Sequence, residues 1–355
     1  MRSRSAAAAR SPRRRRWPWW TAGILGAVVA SGVLAQFVTP WPFSLAIRWV
    51  FERSAADTIR EMDGHAPAAG TVTEHLGVPI DGLPAELTLD RFTPAGIDGA
   101  APTVIWIHGG AWISGSSAEV NPYLRLLAAR GYTAIGVNYT RGPEGSYPGP
   151  LHEINTAIAQ VLDRADEYGV DTDRIVLAGD SAGAQLASQL AVAATEPAYA
   201  ERIGLPSALG AEQLVGTILH CGIYDPSKML QAGGIAGWGF DIALWAYTGE
   251  RDWGASRAAE EMRTLEHVTE NFPPSFISGG NGDGLTPAQS VALAERLSDL
   301  GVEADAHFFP DDYEPAMMHE YQFHLDLPEA RDALDATLDY LERVTAPREA
   351  VLPRG

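Results

Sequence analysis

Cysteine is almost absent: Cys221 stands alone in 355 residues. No intramolecular disulfide can form, and cysteine usage says nothing about the redox compartment. Acidic residues are missing ahead of Glu52, whereas seven arginines fall before Trp17. Beyond those arginines it is basic residues that are scarce, 19 against 45 acidic ones, a net of −26. A body so charged repels nucleic acid and anionic membrane surfaces. Histidines are scattered, with no His and carboxylate paired at ligand spacing, so no metal site is implied. The glycine-rich run Gly279–Gly284 lacks the Lys-Ser/Thr ending of a phosphate loop and the early position of a dinucleotide fingerprint, so no cofactor is expected. No internal repeat is visible. What is present is an ordinary globular composition, 46% apolar and 20% charged, long enough for one large domain with an appendage.

The chain divides by composition. Residues 1–20 are basic and belong in the cytoplasm. Residues 21–38 form an uncharged, largely apolar run behind Arg13–Arg16 and Trp17-Pro18-Trp19-Trp20. Basic flank, aromatic belt and a run of this length predict a single transmembrane helix that leaves the remainder extracytoplasmic. The rival is a cleaved signal, with Val33-Leu34-Ala35 as the cleavage site, which would make the protein secreted. Residues 39–80 read as a juxtamembrane helix and linker: Pro40-Trp41-Pro42-Phe43 breaks the preceding helix, and Ser44–Met62 is amphipathic, lying on the membrane or on the domain.

Residues 81–346 alternate strand and helix, followed by a tail, 347–355. The pattern predicts strands at Glu86–Phe92, Thr103–His108, Tyr132–Tyr139, Arg174–Gly179, Leu214–Cys221, Ser275–Gly279 and Glu303–Phe309. Helices are predicted at Ala118–Arg130, Leu151–Tyr168, Ala182–Ala194, Pro287–Leu300 and Pro328–Val344. Such alternation with apolar central strands argues an α/β fold, a mostly parallel sheet with helices on both faces. The interval 223–274 is an insertion too long for a simple connection. Its aromatics (Tyr224, Trp238, Phe240, Trp245, Tyr247, Trp253) either line a lid over a site or bury the insertion against the domain.

Two motifs carry chemistry. Gly179-Asp180-Ser181-Ala182-Gly183 is a G-x-S-x-G pentapeptide entered from a β-rich run and followed by a helical one, the context in which a sharp turn exposes a serine nucleophile. About seventy residues earlier, His108-Gly109-Gly110-Ala111-Trp112 follows another strand. The backbone N–H groups of Gly109 and Gly110, with that of Ala182, are the expected oxyanion donors, and His108 is expected to brace their loop. A serine needs a base, and the base needs an orienting carboxylate. Around such a turn the chain order is serine, acid, histidine. Asp283 sits at the tip of a loop after a late strand and is preferred as the acid over Asp305, Asp311 and Asp312. His319 follows the last strand and is preferred as the base. His324 is the reserve, and His220, His267 and His307 fail on order or position.

With these residues in place, the chain resembles an α/β-hydrolase of the hormone-sensitive-lipase-like carboxylesterase group. Asn138–Pro148 resembles that group's Tyr-Arg-Leu-x-Pro-Glu segment, Gly279–Pro287 its acid loop and His319 its histidine loop. The resemblance spans roughly Leu87 to Leu341. It departs at Ala111 and Ala184, where the group usually has glycine, and at His319-Glu320-Tyr321 in place of His-Gly-Phe. His-Gly-Gly-Ala-Trp is also similar to arylformamidase-like and feruloyl/acetyl-xylan esterase-like hydrolases. The resemblance implies a small-molecule ester substrate of short to medium acyl length, cleaved through a Ser181-His319-Asp283 triad and an acyl-enzyme. The alternatives are amide or formamide cleavage by the same triad, or a non-catalytic interaction protein displayed at the membrane on a hydrolase fold.

Overall fold

A computed structural model describes residues 23–24, 37–96, 99–231 and 233–347. The transmembrane helix expected over 21–38 lies outside the described residues except for 23, 24, 37 and 38. No helix among the described residues is long and apolar enough to cross a membrane.

Eight strands form one sheet: Val72–Pro79 (β1), Thr88–Pro94 (β2), Ala101–Ile107 (β3), Thr133–Val137 (β4), Val170–Asp180 (β5), Leu214–His220 (β6), Ser275–Gly279 (β7) and Ala304–Phe308 (β8). Their spatial order is β1-β2-β4-β3-β5-β6-β7-β8. The pairs β1–β2 and β2–β4 are antiparallel, and all pairs from β4 onward are parallel. Central strands are apolar on both faces because both faces are covered. In β3, Ile105 and Ile107 enter one core while Val104 and Trp106 enter the other. β5 repeats this with Ile175 and Leu177 against Val176 and Ala178.

Helices Gly149–Asp163 (α3), Ala182–Thr195 (α4) and Ala292–Asp299 (α6) cover the first face. Helices Ser117–Ala129 (α2) and Pro328–Val344 (α7) cover the second. After β3 the chain steps to one side for β4 and returns to the other for β5. Such a reversal opens a crevice at the carboxyl ends of the two neighbouring strands. Both motifs emerge there.

Three local expectations change. The helix expected over Leu151–Tyr168 ends at Asp163, and a separate turn, Ala165–Tyr168, is closed by Gly169 in the left-handed region. The amphipathic helix runs Trp41–Asp63 (α1), with Pro42 inside its first turn, where the missing N–H costs no hydrogen bond. It packs on the domain: Arg48 reaches Gly142 O at 2.7 Å and pairs with Glu144, while Glu61 accepts from His324 Nδ1 at 2.9 Å and from the Asp326 N–H at 3.0 Å. The insertion contains helix Gly234–Thr248 (α5), and its aromatics divide. Tyr224, Trp245, Tyr247 and Trp253 are buried, Tyr247 stacking on Trp112 at 5.5 Å, whereas Trp238 stays 38% exposed.

Candidate active site

Ser181 occupies the single residue between β5 and α4, with φ 50° and ψ −119°. That conformation is strained for a non-glycine residue and is held by what surrounds it. The Ser181 N–H donates to His220 O at 2.8 Å. A Cβ on Gly179 would lie 2.5 Å from the Gly183 backbone, and one on Gly183 would lie 2.0 Å from Ile107 O. Both positions of the pentapeptide therefore require glycine, the second because the start of α4 is pressed against the end of β3.

The acid and histidine loops are stitched together before they meet the serine. Gly282 N–H donates to Met317 O at 2.8 Å, Met317 N–H to Asn281 Oδ1 at 2.9 Å, and Asn281 Nδ2 to Tyr313 O at 2.9 Å. Asp283, 6% exposed, accepts from the Leu285 N–H on one oxygen and stands 2.7 Å from His319 Nδ1 with the other. His319 Nε2 lies 3.0 Å from Ser181 Oγ. A carboxylate on Nδ1 fixes the tautomer that leaves the Nε2 lone pair toward the hydroxyl.

Burial pulls the His319 imidazolium down. The hydrogen bond to Asp283 and the charges of Glu320, Asp283 and Asp180 outweigh it and raise the ring to about 9. The side chain is 35% exposed, so water screens both effects.

The structure corrects one expected oxyanion donor. Gly109 N–H is already donated to Asp180 Oδ2 at 2.9 Å. Among the described residues the N–H groups of Gly110 and Ala111 have no acceptor, and Ala182 N–H is one of the orphan donors at the start of α4. The free set is thus Gly110, Ala111 and Ala182. Ala111 sits at φ 51°, in the conformation glycine adopts easily, which is the physical content of the usual third glycine there.

In the sequence Asp180 is only the variable residue before the nucleophile. It is 3% exposed and its other oxygen accepts from Trp106 Nε1 at 2.8 Å, so it ties the nucleophile turn to the oxyanion loop. Burial, then the charge of Glu320, pushes its carboxyl well up. His108 bonds Gly109 O through Nδ1 and stacks on Tyr139 at 4.4 Å; burial holds it down at about 4, a neutral brace.

The side chains of the other candidates are engaged elsewhere or exposed and make no bond to Ser181. His220 is buried against Ser278, His324 ties α1, Asp305 pairs with Arg343, and Asp311 and Asp312 are exposed. Cys221, His319 and Glu320 bring one ligand atom each within 4.8 Å, a juxtaposition invisible in their spacing. The Cys221 thiol is fully buried and burial pushes it well up, away from the thiolate that metals take.

A cleft of about 300 Å³ opens over Ser181 and His319. The oxyanion loop floors it, and Phe51, Ser54, Ala55 and Thr58 of α1 wall it with Phe240 of the insertion. Glu119 and Glu320 also face it.

The family model for BD-FAE matches residues 89–297, more than half of the chain. Esterase LipQ of Mycobacterium tuberculosis is 30% identical over 203 residues, 57% of this chain and 47% of that protein. Carboxylesterase NlhH of the same organism is 26% identical over 76% of this chain and 82% of its own length. The chain spans about half the length of LipQ and of the related LipM and LipC. Among solved structures, esterase B from Lactobacillus rhamnosis superposes with a TM-score of 0.72 at 23% identity, covering 85% of this chain and 95% of that one. The Pyrobaculum calidifontis esterase gives 0.68 at 21%, covering 86% and 94%. These likenesses establish the α/β-hydrolase fold, and the chain belongs to the BD-FAE family.

Proposed function

We propose that the chain is a serine esterase cleaving carboxylic esters of short to medium acyl length. One observation carries this: Ser181 Oγ lies 3.0 Å from His319 Nε2, whose Nδ1 is 2.7 Å from Asp283, at the floor of a cleft. Ser181 Oγ attacks the carbonyl carbon as its proton passes to Nε2, and Asp283 stabilises the imidazolium. The oxyanion is received by the N–H groups of Gly110, Ala111 and Ala182. Collapse breaks the bond to the alcohol, which takes the proton from Nε2. Water, activated by the same histidine, then releases the acid and restores Ser181.

The esterase names of the relatives support the reading, and the cleft volume, at the small end for ligand pockets, favours short acyl chains. The test is hydrolysis of p-nitrophenyl esters of graded chain length beside Ser181→Ala, with fluorophosphonate labelling. Turnover peaking at short chains and lost in the variant is expected. Turnover retained in the variant overturns the assignment.

The same reading places the chain on a membrane through residues 21–38, the catalytic body outside the cytoplasm. Supporting it, α1 begins directly after that run and leaves Trp41, Leu45 and Trp49 exposed at i, i+4, i+8 spacing. Detergent-dependent extraction at the full 38.0 kDa is expected; a shorter, freely soluble product would mean a cleaved signal. A trimmed version must begin before Trp41, because α1 walls the cleft.

A further inference from the structure

The cleft holds two carboxylates that the triad does not use. Glu320 follows His319 directly, in the left-handed region at φ 60°, and its Oε1 lies 3.8 Å from His319 Nε2. The same oxygen would be 3.2 Å from a Cβ on Gly109, so the carboxylate overhangs the oxyanion loop. Glu119, in the first turn of α2, faces the same cleft.

Neither side chain accepts a hydrogen bond from a described residue. The cations at the rim are already engaged: Arg141 with Glu52, Arg48 with Glu144, and His324 with Glu61. Burial first, then the charges of Glu320 and Glu52, raise Glu119 to about 7 despite Arg141. The aromatic side chains Phe51 and Phe240 stand on the same walls. An anion next to the oxyanion loop opposes the charge that develops on the carbonyl oxygen, so an unneutralised Glu320 works against the reaction. Left to itself, this pair is a liability.

A positive charge on the substrate removes it. Building on the esterase reading, we propose that the cleft selects esters whose alcohol half carries a cationic group, seated between Glu320 and Glu119 and against the aromatic walls. The alcohol side is assigned because Nε2 is the atom that hands the proton to the leaving oxygen, and Glu320 is its neighbour. Quaternary and protonated amines suit carboxylate-and-aromatic pockets. The acidic body adds steering of cations toward the cleft, which salt weakens.

Seating the cation also acts on the base. His319 is faced by Asp283 from the β7 loop, by Asp180 and Ser181 from the nucleophile turn, by Cys221 after β6, and by Glu320. A bound cation offsets the Glu320 contribution and lowers the imidazolium toward the working range, so the right substrate frees its own general base.

The test uses the full chain in detergent with two esters of one shape: butyrylcholine and its uncharged isostere, 3,3-dimethylbutyl butyrate. A kcat/KM about tenfold higher for the choline ester is expected, from combined ion-pair and cation–π contributions. Glu320→Gln and Glu119→Gln should each shrink the ratio severalfold, and added salt should narrow it. The acid limb of kcat should lie at lower pH for the choline ester than for the neutral one. Glu320→Gln should lower that limb for the neutral ester, which a merely structural role would not do. A choline ester turned over no faster than its isostere overturns the proposal, as does a ratio that survives both variants. Turnover of the neutral ester, or labelling of Ser181, without the preference sinks this inference alone. Absence of both turnover and labelling sinks the esterase reading beneath it.

Discussion

The two sides of the cleft are made of different material. One is strand ends: Ser181, Gly109, Gly110 and Ala111 sit where β5 and β3 stop, closed in by buried hydrogen bonds and by glycines with no room for a methyl group. The other is helix α1, the exposed first turns of α5 and the residue after His319; α1 is half-exposed and tied to the domain by ion pairs of Arg48 and Glu61, whereas only the far end of α5 is buried in the core. The first side holds atoms to a fraction of an ångström, as attack and oxyanion capture require. In the proposed reaction the second side would set which ester reaches them. Chemistry is over-determined in this molecule, and selectivity is adjustable.

The sharpest break in that division comes at the nucleophile. Ser181→Ala should cut turnover by about 10⁴-fold or more while leaving the melting temperature near its original value, read by ester hydrolysis beside a thermal scan. Gly183→Ala should do what the serine variant does not. Its Cβ would be 2.0 Å from Ile107 O, so α4 must move off β3, and both the melting temperature and activity should fall. A loss of about 3 kcal/mol fits the overpacking range. If Gly183→Ala melts like the parent, the strand-end side is softer than its contacts indicate.

The legibility of the molecule follows the same line. Seven of the eight strands lie close to their expected spans: β3 to β7 carry apolar runs, and β2 and β8 alternate through Leu87 and Leu89 and through Ala304, Ala306 and Phe308. β1 escapes notice because Val72–Pro79 is mostly exposed and lacks apolar alternation; its pairing to β2 is what makes it a strand. The insertion helix α5 contains Gly234, Gly237 and Gly239, poor helix formers, and depends on packing that spacing does not reveal. At the site, Ser181, Asp283 and His319 are readable through chain order. The diversion of Gly109 N–H to Asp180 is not, since it links residues 71 apart through a tertiary contact. Ala111 leaves a trace, as the odd residue where glycine is usual. Glu320 leaves one too, as the residue that replaces glycine after the histidine.

Asp180→Asn tests the seam between strand end and loop at a smaller scale. An amide offers one oxygen where two N–H donors, Trp106 Nε1 and Gly109, now find acceptors, and its NH₂ must face one of them. A cost of about 1–3 kcal/mol in stability is expected, with kcat falling more than KM rises as the oxyanion loop loses its tie. Unchanged kcat would mean that the loop is held by His108 and Tyr139 alone.

The pH response of His319 joins both sides, since its partners come from each. The ring sits above its ordinary value of 6.5, at about 9, so activity on an uncharged ester should rise with pH until that region, as the base loses its proton. Stability should move the other way. A group whose folded value is raised favours the folded state fully below the unfolded value, and that contribution fades as pH climbs from about 6.5 through 9. Opposite slopes in one window, read by kcat/KM and by melting temperature, are the signature of a single proton. Parallel slopes would assign the window to another group.

The smallest effect is expected on the helical wall. Phe51 is 43% exposed on α1 and lines the cleft without entering the buried cores, so Phe51→Ala should leave the melting temperature within a degree or two. The lost ring should shift the acyl-length or alcohol preference by roughly threefold to tenfold, the scale of one apolar contact. If the ring acts only as a wall of the cleft, the change should fall on the ratio between esters and not equally on all of them. A uniform loss across every ester would show that α1 helps position the reacting atoms after all, and the division between the two sides of the cleft would give way at that residue.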